Sequence, residues 1–313
     1  MMKSIKHILV VMDPMTDQQV ALLRAVNIAK KTSATIELFL VAYHRQLVSH
    51  WNFDKEQTAA SQKEYLATKI RWLETYLIGV VEQDLTVKLD ACWHKDVAAA
   101  VLKKIESCDT DLVVKSTHQH TSINKVLFNP SDWRLLQHCQ VPLLLAKKEL
   151  ARESTDLPYS TIMAAVDPVK NNDKPQGLDR AVLDATIGLV ALFEASVHVC
   201  HCYQALGLEL WQSMSSVGMD QSVADSNFED YQQGIQKHHQ KLFNALIDDY
   251  DFNEASTHLI DGSVEYELSK LVDKYQVDLL VMGMGDTINF VGNTVEKILD
   301  NVHCDILSVR VES

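Results

Sequence analysis

Glycine is scarce in this chain. Ten glycines are spread over 313 residues, about half the usual ~7% share. Nine of them follow residue 157, and Gly79 stands alone before it. The first half therefore cannot carry a glycine-rich phosphate loop. Cysteine is sparse too. Six cysteines in a chain of this length make no disulfide framework, so a cytoplasmic protein with reduced thiols is expected. Long apolar runs are missing. The opening run, Ile8 to Met12, is shorter than the ~7–15 residues of a signal h-region. The run Ala185 to Phe193 falls well short of the ~20 residues of a membrane helix. No targeting signal and no membrane span are expected.

Positive charge is lacking in one half. Residues 1–156 hold 20 Lys+Arg against 18 Asp+Glu, a net of +2, whereas residues 157–313 hold 9 against 24, a net of −15. A polyanion needs a basic face, so nucleic acid is excluded as a partner class. Catalytic signatures are missing as well. The chain shows no Ser-His-Asp signature, no paired-carboxylate signature and no Walker loop. No catalytic residue is assigned, and the expectation is that the protein is not an enzyme.

What is present is an ordinary globular composition, 47% hydrophobic and 23% charged, in a length that suits about two domains at ~150 residues each. The two halves repeat each other. Ile8-Leu9-Val10-Val11-Met12-Asp13-Pro14 matches Ile162-Met163-Ala164-Ala165-Val166-Asp167-Pro168. Both are apolar runs closed by Asp-Pro, as expected of strands covered on both faces and stopped by proline. A helical stretch follows each, about Asp17 to Lys31 and Leu178 to Phe193. Second strands follow at Ile36–Tyr43 and Val197–Tyr203, third strands at Thr86–Trp93 and Ser256–Ile260, and fourth strands at Asp111–Val114 and Asp278–Val281. Fifth strands run from Pro142 to Leu145 and from Asp305 to Val309. Each half thus reads β-α-β-α-β-α-β-α-β. The fold class is α/β, with two tandem, doubly wound, parallel five-stranded sheets of Rossmann-like α/β/α type. The domains are set at 1–150 and 157–313 around a charged linker, Lys148 to Pro158. The halves are expected to pair through their last strands or adjacent helices.

Ligands of open α/β sheets bind beyond the carboxyl ends of the strands, where the strand order reverses. That places Asp13 and Asp167 among the candidates, although an aspartate there equally caps a turn or helix. After the fourth strand of the second half come Gly283 and Gly285, then Gly292-Asn293-Thr294 before a helix. Glycines and a threonine so placed let backbone N–H groups and a hydroxyl approach a phosphate. His198, Cys200 and Cys202 alternate on one strand face. Zinc uses such ligands, but buried cysteine is the commoner core residue, and no metal is assigned. The loop histidines His118 and His120 read as solvent-facing, and His238-His239 as helix neighbours facing different ways. The segment Gln204 to Asn227 is rich in Leu, Met and Trp. It reads as a cover for the sheet or as a pliable lid over an apolar pocket.

The repeat, the stretch from Val281 through Gly292-Asn293-Thr294-Val295-Glu296-Lys297 to Cys304–Val309, and Asn129-Pro130-Ser131-Asp132-Trp133 in the first half resemble the universal stress protein family in its tandem form. The resemblance covers nearly the whole chain. It implies a role in stress and a motif G-x2-G-x9-G-[ST] after the fourth strand in nucleotide-binding members. By position it implies Asp167 and Cys202 as adenosine-holding residues in the second half, with Gly283, Gly285, Gly292, Asn293 and Thr294 at the phosphates. In the first half it implies Asp13 and Val41, with Ser116, Gln119, Asn129 and Ser131 on the loop. Both loops depart from the motif. The first keeps the spacing and puts Ser116, Gln119 and Asn129 on the glycine positions, followed by Pro130, which has no N–H. The second keeps glycines but spans only nine positions from Gly283 to Gly292, with Asp286 at the second glycine position. A carboxylate there repels a phosphate.

The resulting expectation is a non-enzymatic ligand-binding or adaptor protein with degenerate nucleotide sites. The alternatives are an ATP-binding protein with slow ATPase activity through the second half, and a carrier or sensor of an apolar small molecule. No cofactor is certain, and ATP is the candidate. The partner classes left open are a small molecule (nucleotide or apolar), a protein, and a second copy in a homodimer.

Overall fold

A computed structural model describes residues 5–49, 55–77, 80, 84–117, 130–147, 159–169, 175–215, 221–285, 298 and 301–311. In the first half the elements are β1 (His7–Val11), α1 (Val20–Thr32), β2 (Thr35–Ala42), α2 (Gln46–Ser49), α3 (Lys55–Glu74), β3 (Val87–Trp93), α4 (Val97–Glu106), β4 (Leu112–Ser116), α5 (Pro130–His138) and β5 (Leu143–Ala146). The second half has β6 (Thr161–Ala165), α6 (Leu178–Phe193), β7 (Ser196–Tyr203), α7 (Leu208–Ser215), α8 (Gln221–Ile247), β8 (Thr257–Asp261), α9 (Val264–Lys274), β9 (Leu279–Gly283) and β10 (Asp305–Val309). Local chemistry sets the boundaries. Asp96 caps α4 by accepting the Ala99 N–H at 3.0 Å, a contact that contributes about 1 kcal/mol. Ser33 and Glu194 turn left-handed after α1 and α6 and end them.

The strands form one sheet of ten, in the order β3-β2-β1-β4-β5-β10-β9-β6-β7-β8. Within each half the pairing is parallel, and the order reverses between β1 and β4 and again between β6 and β9. The halves join at β5 and β10, which run antiparallel with Leu144 opposite Leu307. The two expected five-stranded sheets are therefore one continuous sheet. The reason lies in β5 and β10 themselves. Leu143-Leu144-Leu145-Ala146 is buried throughout, as is Asp305–Val309. Either run, left as the edge of its own half, would expose a flat apolar strand ready to aggregate. Pairing them removes both edges.

Two apolar clusters cover the faces, and each draws on both halves. One contains Val10, Leu144, Val281 and Leu307 beneath α1, α3, α6 and α8. The other contains Leu9, Leu145, Leu280 and Ile306 beneath α4, α5 and α9. A buried polar hub pins the junction. Asp305 is fully buried and accepts Arg24 Nε of α1 at 2.6 Å, Tyr159 Oη at 2.8 Å and the Lys147 backbone N–H at 2.7 Å. Because β5 and β10 are antiparallel, the carboxyl ends of the two sets of strands open at opposite edges of the sheet. The two candidate crevices cannot share a ligand. No helix among the described residues is long and apolar enough to cross a membrane.

Candidate functional site

Asp13 and Asp167 hold equivalent places and do equivalent work. Asp13 Oδ1 accepts the Met15 N–H at 2.9 Å, and Asp167 Oδ1 accepts the Val169 N–H at 3.3 Å. Both are aspartate turns closed two residues on. The backbone N–H of each donates to a side chain ahead of or within the next helix. Asp13 meets Gln19 Oε1 at 3.1 Å, and Asp167 meets Asp179 Oδ1 at 3.0 Å. Gln19 also donates from Nε2 to the Asp13 and Thr16 carbonyls, each at 2.6 Å. Both aspartates thus brace the turn that sends the chain from strand to helix.

The first crevice is a cavity of about 110 Å³ lined by Val11, Met12, Asp13, Pro14, Val41, Val97, Lys115, Ser116 and Ser131. The structure therefore places Asp13, Val41, Ser116 and Ser131 around one cavity. Gln119 and Asn129 lie outside the described residues, as do His118 and His120. The cavity is small beside the ~300–1,000 Å³ of typical ligand pockets. Sequence reasoning missed what sets its floor. Lys115 Nζ pairs with Asp132 Oδ1 at 2.6 Å and donates to the Ser116 carbonyl at 3.2 Å. Asp132 is fully buried and Lys115 nearly so. The signal was a lysine at the end of an otherwise apolar strand, where the second half has Met282. Ser116 is committed as well, since its Oγ accepts the Ala21 N–H of α1 at 3.0 Å.

The second crevice lies at the ends of β6, β7 and β9. Asp167 is half exposed at its mouth. Gly283 ends β9, but its open side is taken. A Cβ built there would meet Leu178 Cγ at 2.7 Å, so the missing side chain admits the first residue of α6. Gly285 follows, half-buried, while Asp286, Gly292, Asn293 and Thr294 lie outside the described residues. Cys202 is half-buried and Cys200 buried. The Cys200 thiol donates to Cys202, which holds the Cys202 thiol below its ordinary range and pushes Cys200 well above it.

Histidines meet on both faces of β7 in a way the sequence did not disclose. His201 and His239 meet at 2.8 Å, and His239 stacks on Tyr203 with centroids 4.3 Å apart. On the other face of β7, His198 and His258 meet at 3.0 Å, and both stack on Tyr275. Burial holds His258 down at about 4, and the neighbouring His198 and Lys274 add to the effect. His198 therefore partners a histidine rather than the cysteines beside it in sequence. Among the described residues, no group of three His, Cys, Asp or Glu side chains could hold a metal ion.

The family model for the universal stress protein family matches residues 4–147 and again 158–310. Universal stress protein E of Escherichia coli (strain K12) is 25% identical over 310 residues, covering 97% of this chain and 94% of its own. The universal stress protein E homolog of Haemophilus influenzae is 22% identical over 314 residues, covering 97% of each. A putative universal stress protein from Pseudomonas aeruginosa UCBPP-PA14 superposes with a TM-score of 0.68 at 19% identity, over 99% of this chain and 94% of that one. One from Archaeoglobus fulgidus DSM 4304 gives 0.62 at 12% identity, over 97% and 98%. These two structures carry the same fold from end to end. With both halves matched in sequence, the chain belongs to the universal stress protein family, as a tandem member.

Proposed function

We propose that this protein is a stress-associated binding or adaptor protein that turns over no substrate, and that neither half holds a nucleotide as nucleotide-binding relatives do. One observation carries this reading. The first glycine position of the phosphate loop is spent on internal packing in both halves. In the first half Ser116 stands there and holds the Ala21 N–H at the start of α1. In the second half Gly283 stands there with Leu178 pressed against its bare Cα. A phosphate would need that backbone face open. The Lys115–Asp132 pair supports the reading, because a carboxylate already satisfies the buried cation beside the first loop.

Calorimetry of the full chain with ATP and Mg²⁺ tests the proposal. The expected result is no saturable heat. A saturable signal that Asp167→Ala abolishes would overturn it in favour of a nucleotide-binding second half.

A second reading, an apolar ligand carrier, draws on α7. Leu208 and Leu210 are 42% and 52% exposed there, beside a stack of Trp211 on Tyr231 at 4.6 Å. Native mass spectrometry of freshly purified protein distinguishes the two readings. A bound lipid-like adduct supports the carrier, and a clean mass supports the adaptor.

A further inference from the structure

The backbone fixes the proton positions of one histidine on β7. His201 is 1% exposed, and its Nδ1 lies 3.1 Å from the Val166 carbonyl oxygen. A carbonyl only accepts, so Nδ1 carries the hydrogen. In the neutral ring Nε2 then holds a lone pair. His239 Nδ1 of α8 lies 2.8 Å from that lone pair and must donate to it. His239 keeps a single lone pair, on its own Nε2. One turn further along α8, Phe243 is buried on the same side. The imidazole pair thus fastens α8 to the end of β7, beside Asp167 and the mouth of the second crevice.

This pair has room for one proton and not for two. The first goes to His239 Nε2. The resulting imidazolium still donates through Nδ1 to His201, now in a charge-assisted bond. The second must go to His201 Nε2, where it points at the His239 Nδ1–H. Two donors then face each other on two cations, and the bond is lost. The groups facing the pair act in both directions. Asp167 Oδ1 lies 3.8 Å from His201 Nδ1 and favours a charge on either ring. Asp179 of α6 does the same for His201, and Asp261 of β8 for His239. The neighbouring His238 opposes a charge on His239. Burial opposes it on both rings most strongly and holds each below its ordinary value. Such groups are neutral when folded at neutral pH. Their contribution to stability is complete above about pH 6.5, the unfolded value, and is lost as pH falls through the lowered folded values.

The contacts of α8 say what would move. The Leu206 N–H donates to Tyr231 Oη at 3.1 Å, and Trp211 of α7 stacks on the same tyrosine. The loop after β7 and α7 are therefore tied to α8. We propose that His201 and His239 form a two-proton latch, which holds α7 and α8 against the second crevice at neutral pH and releases them in acid. The latch is independent of nucleotide binding, since it needs only the protons.

Hydrogen exchange on the full chain tests it. The amides of Phe228–Phe243 are followed at about pH 7.5 and pH 5, corrected for intrinsic rates, with α1 as internal reference. The expected result is a loss of protection of about ten-fold or more in α8, with no matching change in α1. His239→Gln keeps a donor for His201 Nε2 and can turn its amide oxygen to accept once that nitrogen is protonated, so its α8 should lose several-fold less protection than wild type over that range. His258→Gln, on the other face, should keep the wild-type α8 response. Equal α8 protection at both pH values would overturn the latch, as would a His239→Gln response like that of wild type. Nitrogen NMR of the wild-type rings gives a check that needs no variant. His201 should carry its hydrogen on Nδ1 at pH 7.5, and a hydrogen on Nε2 would sink the proposal.

Discussion

The two halves answer one structural question differently. At the end of the strand after which a phosphate loop would begin, the first half places Lys115-Ser116 and the second Met282-Gly283. The first sets charge beside its crevice, a buried lysine on a buried aspartate. The second sets carbon there, a leucine against a glycine. Both contacts sit at the corresponding strand end. The comparison teaches that one strand-end position can be held by charge in one repeat and by carbon in the other. A buried ion pair and a close apolar contact are each stable only when complete, so each resists simple reversal.

The largest effect should come from breaking the charged version. Lys115→Met leaves Asp132 buried without its cation and should cost about 3–5 kcal/mol in urea unfolding. The double change Lys115→Met with Asp132→Val copies the residues at the matching second-half positions, Met282 and Val295. It should recover most of that loss, coming within about 1 kcal/mol of wild type, because a well-packed apolar pair replaces an ion pair at little cost. A double variant as unstable as the single would show that an apolar pair cannot stand in for the ion pair at this strand end.

A smaller effect tests the carbon version. Gly283→Ala brings a methyl group against Leu178, and overpacking of this kind costs about 1–3 kcal/mol. Leu178→Ala in the same chain should relieve the clash, and a thermodynamic cycle of the two reads the coupling. Additive costs would mean that Gly283 serves something other than packing.

The smallest effect tests the feature the halves share. Asp13→Ala and Asp167→Ala each remove one aspartate turn and should cost about 0.5–1.5 kcal/mol, similar in both halves. Chemical denaturation at pH 7.5 measures both. A several-fold larger cost for Asp167 would break the equivalence and point to a role beyond the turn.

Much of the architecture was legible in residue order. The Asp-Pro endings of the first strands mark both repeats. The helix expected over Leu178–Phe193 has those bounds in the structure. The expected start at Asp17 fell short, because α1 begins at Val20 after a turn held by Gln19. Apolar alternation and turn residues are local signals, which is why they survive in a single sequence. The sites were legible only as positions. Asp13, Val41, Ser116 and Ser131 do gather around one cavity. That Ser116 caps a helix 95 residues away in sequence was not legible. Nor was the meeting of His201 with His239, 38 residues apart. The neighbouring pattern His198-Cys200-Cys202 drew attention instead, and there the decisive partner is His258 on the next strand.

The sequence by itself determined the repeat, the alternation of strand and helix, the family and the places where a ligand could approach. These follow from short-range periodicity and from motifs read along the chain. Only the tertiary structure decided that the halves share one sheet, that their crevices face opposite edges, and which side chains meet at the strand ends beside them. Those outcomes depend on which apolar edge meets which, and on pairs such as Lys115–Asp132, Gly283–Leu178 and His201–His239. Their energies arise from contact and burial, and neither exists until distant parts of the chain are brought together.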